Sequence, residues 1–190
     1  MKIGLYFGSF NPIHTGHLAI AEHVLNYTLI EKVWLVLSPQ NPLKPSKSLL
    51  NEYDRLHLVN LAIENNERLK AVDVEFRLPK PSYTITTLIY LQEKYPEYSF
   101  EIIMGSDSFN NLPKWKNYER LIQDYRFIVY LRPGFPVNTV PEGVKCTILS
   151  APLLDISATF IRNNVQTDKS IRYLVPEKVS EYIKENNYYN

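Results

Sequence analysis

Scarcity carries the first information in this chain of 190 residues. A single cysteine, Cys146, excludes an internal disulfide framework and suits a reducing compartment. No apolar run approaches the roughly 20 residues that cross a bilayer. The opening Met-Lys-Ile-Gly-Leu-Tyr-Phe-Gly is too short for the apolar core of a secretory signal. A soluble, cytoplasmic protein with no membrane partner is expected. Charge excess is lacking too: 21 basic against 20 acidic side chains give a formal net charge of +1. Proteins that coat nucleic acid are usually far more basic, so no nucleic-acid partner is expected. Glycine is rare, six in all, yet Gly4, Gly8 and Gly16 fall in the first sixteen residues, beside His14 and His17. Acids are missing locally: residues 1–21, 32–51 and 156–167 contain no Asp or Glu. Brought together in space, such stretches make a positive pocket for an anion.

What is present is ordinary for a globular chain. Hydrophobic residues make up 45% and charged residues 22%, which excludes wholesale disorder. The length fits one domain spanning residues 1–190. Short apolar runs alternate with amphipathic ones. Strands are expected over residues 2–7, 33–37, 71–76, 100–104, 127–131 and 144–149, and helices over 16–27, from Asn51 as a cap onward, 84–95, 118–124, 157–165 and 176–186. This order predicts an α/β fold: a doubly wound, Rossmann-like parallel sheet with helices on both faces and a short helical C-terminal part. Ligands of such sheets lie beyond the carboxyl ends of the strands. That rule places residues 8–17, 38–47, 105–115 and 152–162 on one rim.

Each rim segment carries candidate chemistry. Residues 8–17 (Gly8, Ser9, Phe10, Asn11, Pro12, Ile13, His14, Thr15, Gly16, His17) join the first strand to the first helix, where backbone N–H groups and the helix dipole favour an anion. The segment lacks the Gly-Lys-Ser/Thr of a P-loop and the GxGxxG of a dinucleotide fingerprint. His14 and His17, three residues apart, face one ligand. A zinc reading of the pair lacks a nearby third ligand, so no protein-bound metal is expected. In the second segment Ser157 caps a helix, Ile156 precedes it, Thr159 adds a hydroxyl, and Arg162 forks onto phosphate oxygens. Gly105 and Asp107 offer backbone and carboxylate to a ribose, and Trp115 a face for stacking or a core anchor. Lys44 and Lys47 lie in the proline-rich rim loop 38–47, as ligand cations or solvated charges. Cys146, His23, His57 and Trp34 read as structural.

The residues His14-Thr15-Gly16-His17 and Ile156-Ser157-Ala158-Thr159-Phe160-Ile161-Arg162 resemble the T/HxGH and ISSTxIR signatures of the nucleotidyltransferase superfamily. Within it the chain is similar to the bacterial nicotinate-nucleotide adenylyltransferases, through Pro81-Ser82-Tyr83-Thr84, Thr87, Leu88, Gly105, Asp107, Leu112 and Trp115. Three departures stand out: Phe7-Gly8-Ser9-Phe10-Asn11-Pro12 replaces Gly-Gly-Thr-Phe-Asp-Pro, Ala158 replaces a serine, and Thr86 stands where aspartate is common. The resemblance implies transfer of AMP from ATP to nicotinate mononucleotide, with Mg²⁺ accompanying ATP. It implies that His14, His17 and Arg162 act on the phosphates. Gly8, Ser9, Phe10, Gly16, Gly105, Asp107, Ile156, Ser157 and Thr159 would hold ATP. Lys44, Tyr83, Thr84, Thr86 and Trp115 would hold the mononucleotide. Phosphopantetheine adenylyltransferases carry Thr at the first motif position, where this chain has His14. A nucleotide sensor without catalysis is the reading from another class. A homo-oligomer is left open.

Overall fold

The structure, a computed structural model, describes residues 1–39, 49–152 and 154–190. Lys44 and Lys47 therefore lie outside the described residues. Six strands, β1 (Lys2–Gly8), β2 (Lys32–Leu37), β3 (Leu69–Val72), β4 (Ser99–Gly105), β5 (Arg126–Tyr130) and β6 (Cys146–Leu149), pair in parallel in the order β3-β2-β1-β4-β5-β6. Successive side chains leave a strand on opposite faces. Here Leu5, Trp34, Val36 and Ile102 enter one apolar cluster, while Tyr6, Leu35, Leu37 and Ile103 enter the other. Both faces of the central strands are buried, which is why these runs read as continuously apolar.

Helices α1 (Thr15–Tyr27), α2 (Glu52–Ile63), α6 (Ala158–Gln166) and α7 (Glu177–Glu185) cover one face. Helices α3 (Thr84–Lys94) and α5 (Tyr118–Asp124) cover the other, and the single turn α4 (Ser106–Phe109) follows β4 directly. The chain winds outward from β1 through β2 to β3, then crosses back to β4 on the other side of β1. That reversal leaves a crevice beyond the carboxyl ends of β1 and β4. The two strands end there on glycines, Gly8 and Gly105.

Several elements differ from the sequence expectation for local reasons. β3 stops at Val72, and Val74–Arg77 turns as a 3-10 helix. That turn buries the Glu75 side chain, whose Oε1 accepts from Thr87 Oγ1 at 2.8 Å. β6 begins at Cys146, because the Val144 amide closes a turn on the Pro141 carbonyl at 3.2 Å. Cys146 is only half-buried, on an edge strand, and burial still pushes its thiol up. α4 and the 3-10 turn Leu112–Lys114 are too short to leave a periodic signal. Asn51 and Ser157 do cap their helices, accepting from the Tyr53 and Phe160 amides at 2.9 and 3.1 Å. Tyr189 is docked: its hydroxyl donates to Asn11 Oδ1 at 3.0 Å.

Candidate active site

Two cavities open along the crevice and share Tyr6, Phe7, Gly8, Ser108 and Tyr130 as a common wall. The first, about 380 Å³, is bounded by the start of α3 and by Trp115. The second, about 450 Å³, lies between the β1–α1 loop and the start of α6. Each is of the size that holds a small organic ligand.

The β1–α1 loop is fixed from below by a buried arginine. Arg55, on the apolar stripe of α2 with Leu58, Val59 and Ile63, is fully buried. Its Nη1 donates to the Ser9 carbonyl at 2.6 Å and the Ser38 carbonyl at 2.9 Å, its Nε to that of Leu50 at 2.9 Å, and its Nη2 to that of Pro39 at 3.3 Å. Four carbonyl oxygens offset a desolvation that would otherwise be prohibitive for a buried charge. The chain ends of β1 and β2 are thereby tied together. Phe10 then takes a positive φ of 44° and buries its ring between Tyr6 and His17, at centroid distances of 5.9 and 5.1 Å. This sends the chain back over Gly8 and into α1.

His14 and His17 come together at the start of α1, their rings stacked at a centroid distance of 3.6 Å. Gly16 makes room for this: a Cβ there would lie 3.1 Å from His14 Nδ1. The His14 backbone amide donates to His17 Nδ1 at 3.3 Å. With Nδ1 accepting, the proton of a neutral His17 sits on Nε2. His14 is buried, and its Nδ1 has no hydrogen-bond partner among the described residues. Burial, and then the positive charge of Arg132, lower the His14 pKa to about 4. The stacked pair therefore does not carry two positive charges at neutral pH.

The opposite wall of the second cavity comes from α6. Ile156, Ser157 and Thr159 line it, and Arg162 bridges it to the loop, with Nη1 donating to the Asn11 carbonyl at 2.8 Å and Nη2 to Thr159 Oγ1 at 3.2 Å. Gly8, Ser9, Phe10, Gly16 and Asp107 also line this cavity. Asp107 is held by Arg132, whose Nη1 donates to its Oδ2 at 2.8 Å. Gly105, on the wall of the first cavity, has to be glycine, since a Cβ would meet this ion pair. The first cavity collects Tyr83, Thr84 and Trp115, with Lys116 Nζ 4.2 Å from the centre of the Tyr83 ring. Thr86 lies on neither wall; its amide is bonded to the Tyr83 carbonyl at 3.0 Å.

Four residues of the site escape the sequence reading. Arg132 follows β5 on the same rim, so the carboxyl-end rule was sufficient to find it. Lys114 and Lys116 flank Trp115 directly. Arg55 showed itself as a charge on an apolar helical stripe. Among the described residues no group of three or more His, Cys, Asp or Glu side chains could hold a metal ion. No helix among them is long and apolar enough to cross a membrane.

The comparisons with known proteins agree with this geometry. A model of the cytidylyltransferase-like family matches residues 5–164. A relative from Cytophaga hutchinsonii, named "Probable nicotinate-nucleotide adenylyltransferase", is 50% identical over 190 residues, covering 100% of this chain and 99% of its own. One of the same name from Flavobacterium psychrophilum is 49% identical over 193 residues, again covering 100% and 99%. The fold is shared with the Plasmodium falciparum nicotinic acid mononucleotide adenylyltransferase complexed with NaAD, at a TM-score of 0.81 and 23% identity over 99% of this chain and 97% of that one. Stacked histidines at the switch point of a 3-2-1-4-5-6 sheet, and full-length relatives near 50% identity, lead to one conclusion: the chain belongs to the nicotinate-nucleotide adenylyltransferase family, within the cytidylyltransferase-like nucleotidyltransferases.

Proposed function

We propose that this enzyme of NAD biosynthesis transfers AMP from ATP to nicotinate mononucleotide, giving deamido-NAD and pyrophosphate. The observation that carries the reading is the pair of cavities meeting at Gly8, with the histidine pair on one side and Trp115 on the other. A triphosphate in the second cavity and a mononucleotide in the first meet across that wall. The substrate phosphate is already a nucleophile, so the protein needs to align it with the α-phosphorus and stabilise the charge that spreads over the phosphate oxygens.

His17 donates from Nε2 to that centre, and neutral His14 adds a second imidazole beside it. Both sit at the positive end of the α1 dipole. Arg162, Ser157 and Thr159 take the departing β,γ-phosphates at the start of α6, and Ile156 shapes the approach. Gly105 and Asp107 hold the adenosine part, with Arg132 fixing the Asp107 carboxylate. Tyr83, Thr84 and Trp115 enclose the pyridine ring. Lys116, and Lys114 on the same wall, supply the cation for its carboxylate; Lys44 remains a candidate for the same task, and Thr86 contributes through the first turn of α3.

Nucleotidyltransferases that use ATP generally need a divalent metal. Mg²⁺ fits here as the companion of ATP, since Mg²⁺ is commonly bound through substrate phosphates with one or two carboxylates. The second cavity offers Asp155 for that purpose. Bound there, the ion would neutralise charge on the pyrophosphate. A cytoplasmic location, small-molecule partners only and a single domain complete the reading. It is tested by pyrophosphate release with ATP, Mg²⁺ and either nicotinate or nicotinamide mononucleotide. Turnover with a preference for nicotinate is expected. ATP binding without any pyrophosphate release would establish a sensor instead, and a preference for the amide would overturn the choice of substrate alone.

A further inference from the structure

Among the described residues Glu75 is the one carboxyl in the wall of the first cavity, and the proposed reaction does not use it. It is 1% exposed. Its Oε1 accepts from Thr87 Oγ1 at 2.8 Å, and Thr87, also 1% exposed, sits one turn into α3 with its amide on the Tyr83 carbonyl at 3.3 Å. The same carboxyl is approached by the hydroxyls of Ser38, just past β2, and of Ser82, just before α3. Neither Glu75 Oε2 nor Ser82 Oγ completes a well-formed hydrogen bond among the described residues. Among the described residues no salt bridge pairs a cation with it. The residues around this carboxyl, Ser38, Ser82, Tyr83 and Thr84, are themselves wall residues of the cavity.

We propose that Glu75 is a positioning residue for the mononucleotide: through Thr87 it fixes the first turn of α3, so that Tyr83 and Thr84 present one set geometry to the pyridine ring. The inference rests on the functional reading above and deepens it. A buried side-chain hydrogen bond between a 3-10 turn and a helix sets the distance between the two elements, and the helix start it fixes is the wall the ring meets. Burial raises the pKa of this carboxyl, partly offset by the three hydroxyls. The second cavity has no contact with Glu75 or Thr87, so ATP is insensitive to the link.

Steady-state kinetics on the full chain and the variants E75A, E75Q and T87V tests this. E75A and T87V are expected to raise KM for nicotinate mononucleotide by about tenfold, with KM for ATP within about twofold. E75Q is expected to restore the mononucleotide KM to within about threefold, because the amide oxygen still accepts from Thr87. If E75A does not fold, T87V, which replaces one hydroxyl by a methyl group, carries the test alone. Equal increases in both KM values, a T87V enzyme like the wild type, or an E75Q enzyme as poor as E75A each overturn the proposal. An inactive wild type overturns the functional reading and this inference together; an active wild type with the wrong variant pattern overturns this inference alone.

Discussion

A histidine kept neutral by its surroundings makes stability depend on pH at the level of one residue. His14 takes a proton near pH 6.5 in the unfolded chain and near pH 4 when folded. Between those values the unfolded chain binds more protons, so stability is fully present above about pH 6.5 and is lost as pH falls toward 4. The 2.5-unit difference corresponds to ~3 kcal/mol at most. Denaturant midpoints at pH 7 and pH 5 are expected to differ by more in the wild type than in H14Q. His17 is tested by rate. With Nδ1 occupied by the His14 amide, its Nε2–H is the donor proposed to face the reacting centre, and H17A is expected to lower kcat at least ~10²-fold in pyrophosphate release. Near-normal turnover would remove it from the mechanism. At this scale the sequence showed types and spacing but not partners. His14 and His17 were legible as a pair. That Arg132 acts on one of them depends on a residue more than a hundred positions away.

Helix α6 shows how much of an element can be read in advance. Ser157 was recognisable as a cap and accepts from the Phe160 amide; replacing it with Ala is expected to cost about 1 kcal/mol, measured by chemical denaturation. Because this helix start borders only the second cavity, S157A should raise KM for ATP and leave that for the mononucleotide alone. Equal effects on both substrates would show that the cap acts only on global stability. Strands β1, β2, β4 and β5 were legible because both faces are buried and the runs are uniformly apolar. The end of β3 was not. Val74, Glu75 and Phe76 alternate as a strand would, but the hydrogen bond of Glu75 to Thr87 and the edge-on contact of Phe76 with Tyr53 draw the chain into a turn. Tertiary partners decided the local conformation there, and local sequence does not contain them.

At the scale of the whole molecule, Tyr189 packs back against the candidate site. Tyr189 bonds Asn11, whose carbonyl takes Arg162 and whose Oδ1 also accepts the Leu50 amide at 3.2 Å. The phosphate loop, α2, α6 and the C-terminus thus converge on one buried asparagine. Y189F removes a single hydroxyl and is expected to cost about 1 kcal/mol, read as a melting temperature lower by roughly 2–4 °C; an unchanged melting temperature would make the contact incidental. The winding of the sheet and the rim it creates were legible from the alternation of elements. The electrostatics of the rim were legible only in part. The acid-poor segments 8–17 and 156–162 do meet at the second cavity, but Asp107 and Asp155 line it with them. Under the proposed function, selectivity for phosphate there would rest on two helix starts and on arginines held in place, not on an absence of acids.

The wall shared by the two cavities has a consequence for how the enzyme lets go. On the proposed function, joining AMP to the mononucleotide gives one molecule that would lie across Gly8 and reach into both spaces, whereas pyrophosphate would occupy only one. The dinucleotide has to be released in one piece from two anchoring points. It is therefore expected to compete with each substrate in turn, and pyrophosphate with ATP alone, which product-inhibition kinetics would check. On the proposed function, a full supply of finished dinucleotide is expected to slow its own synthesis, through the same continuity of space that would allow the two substrates to react.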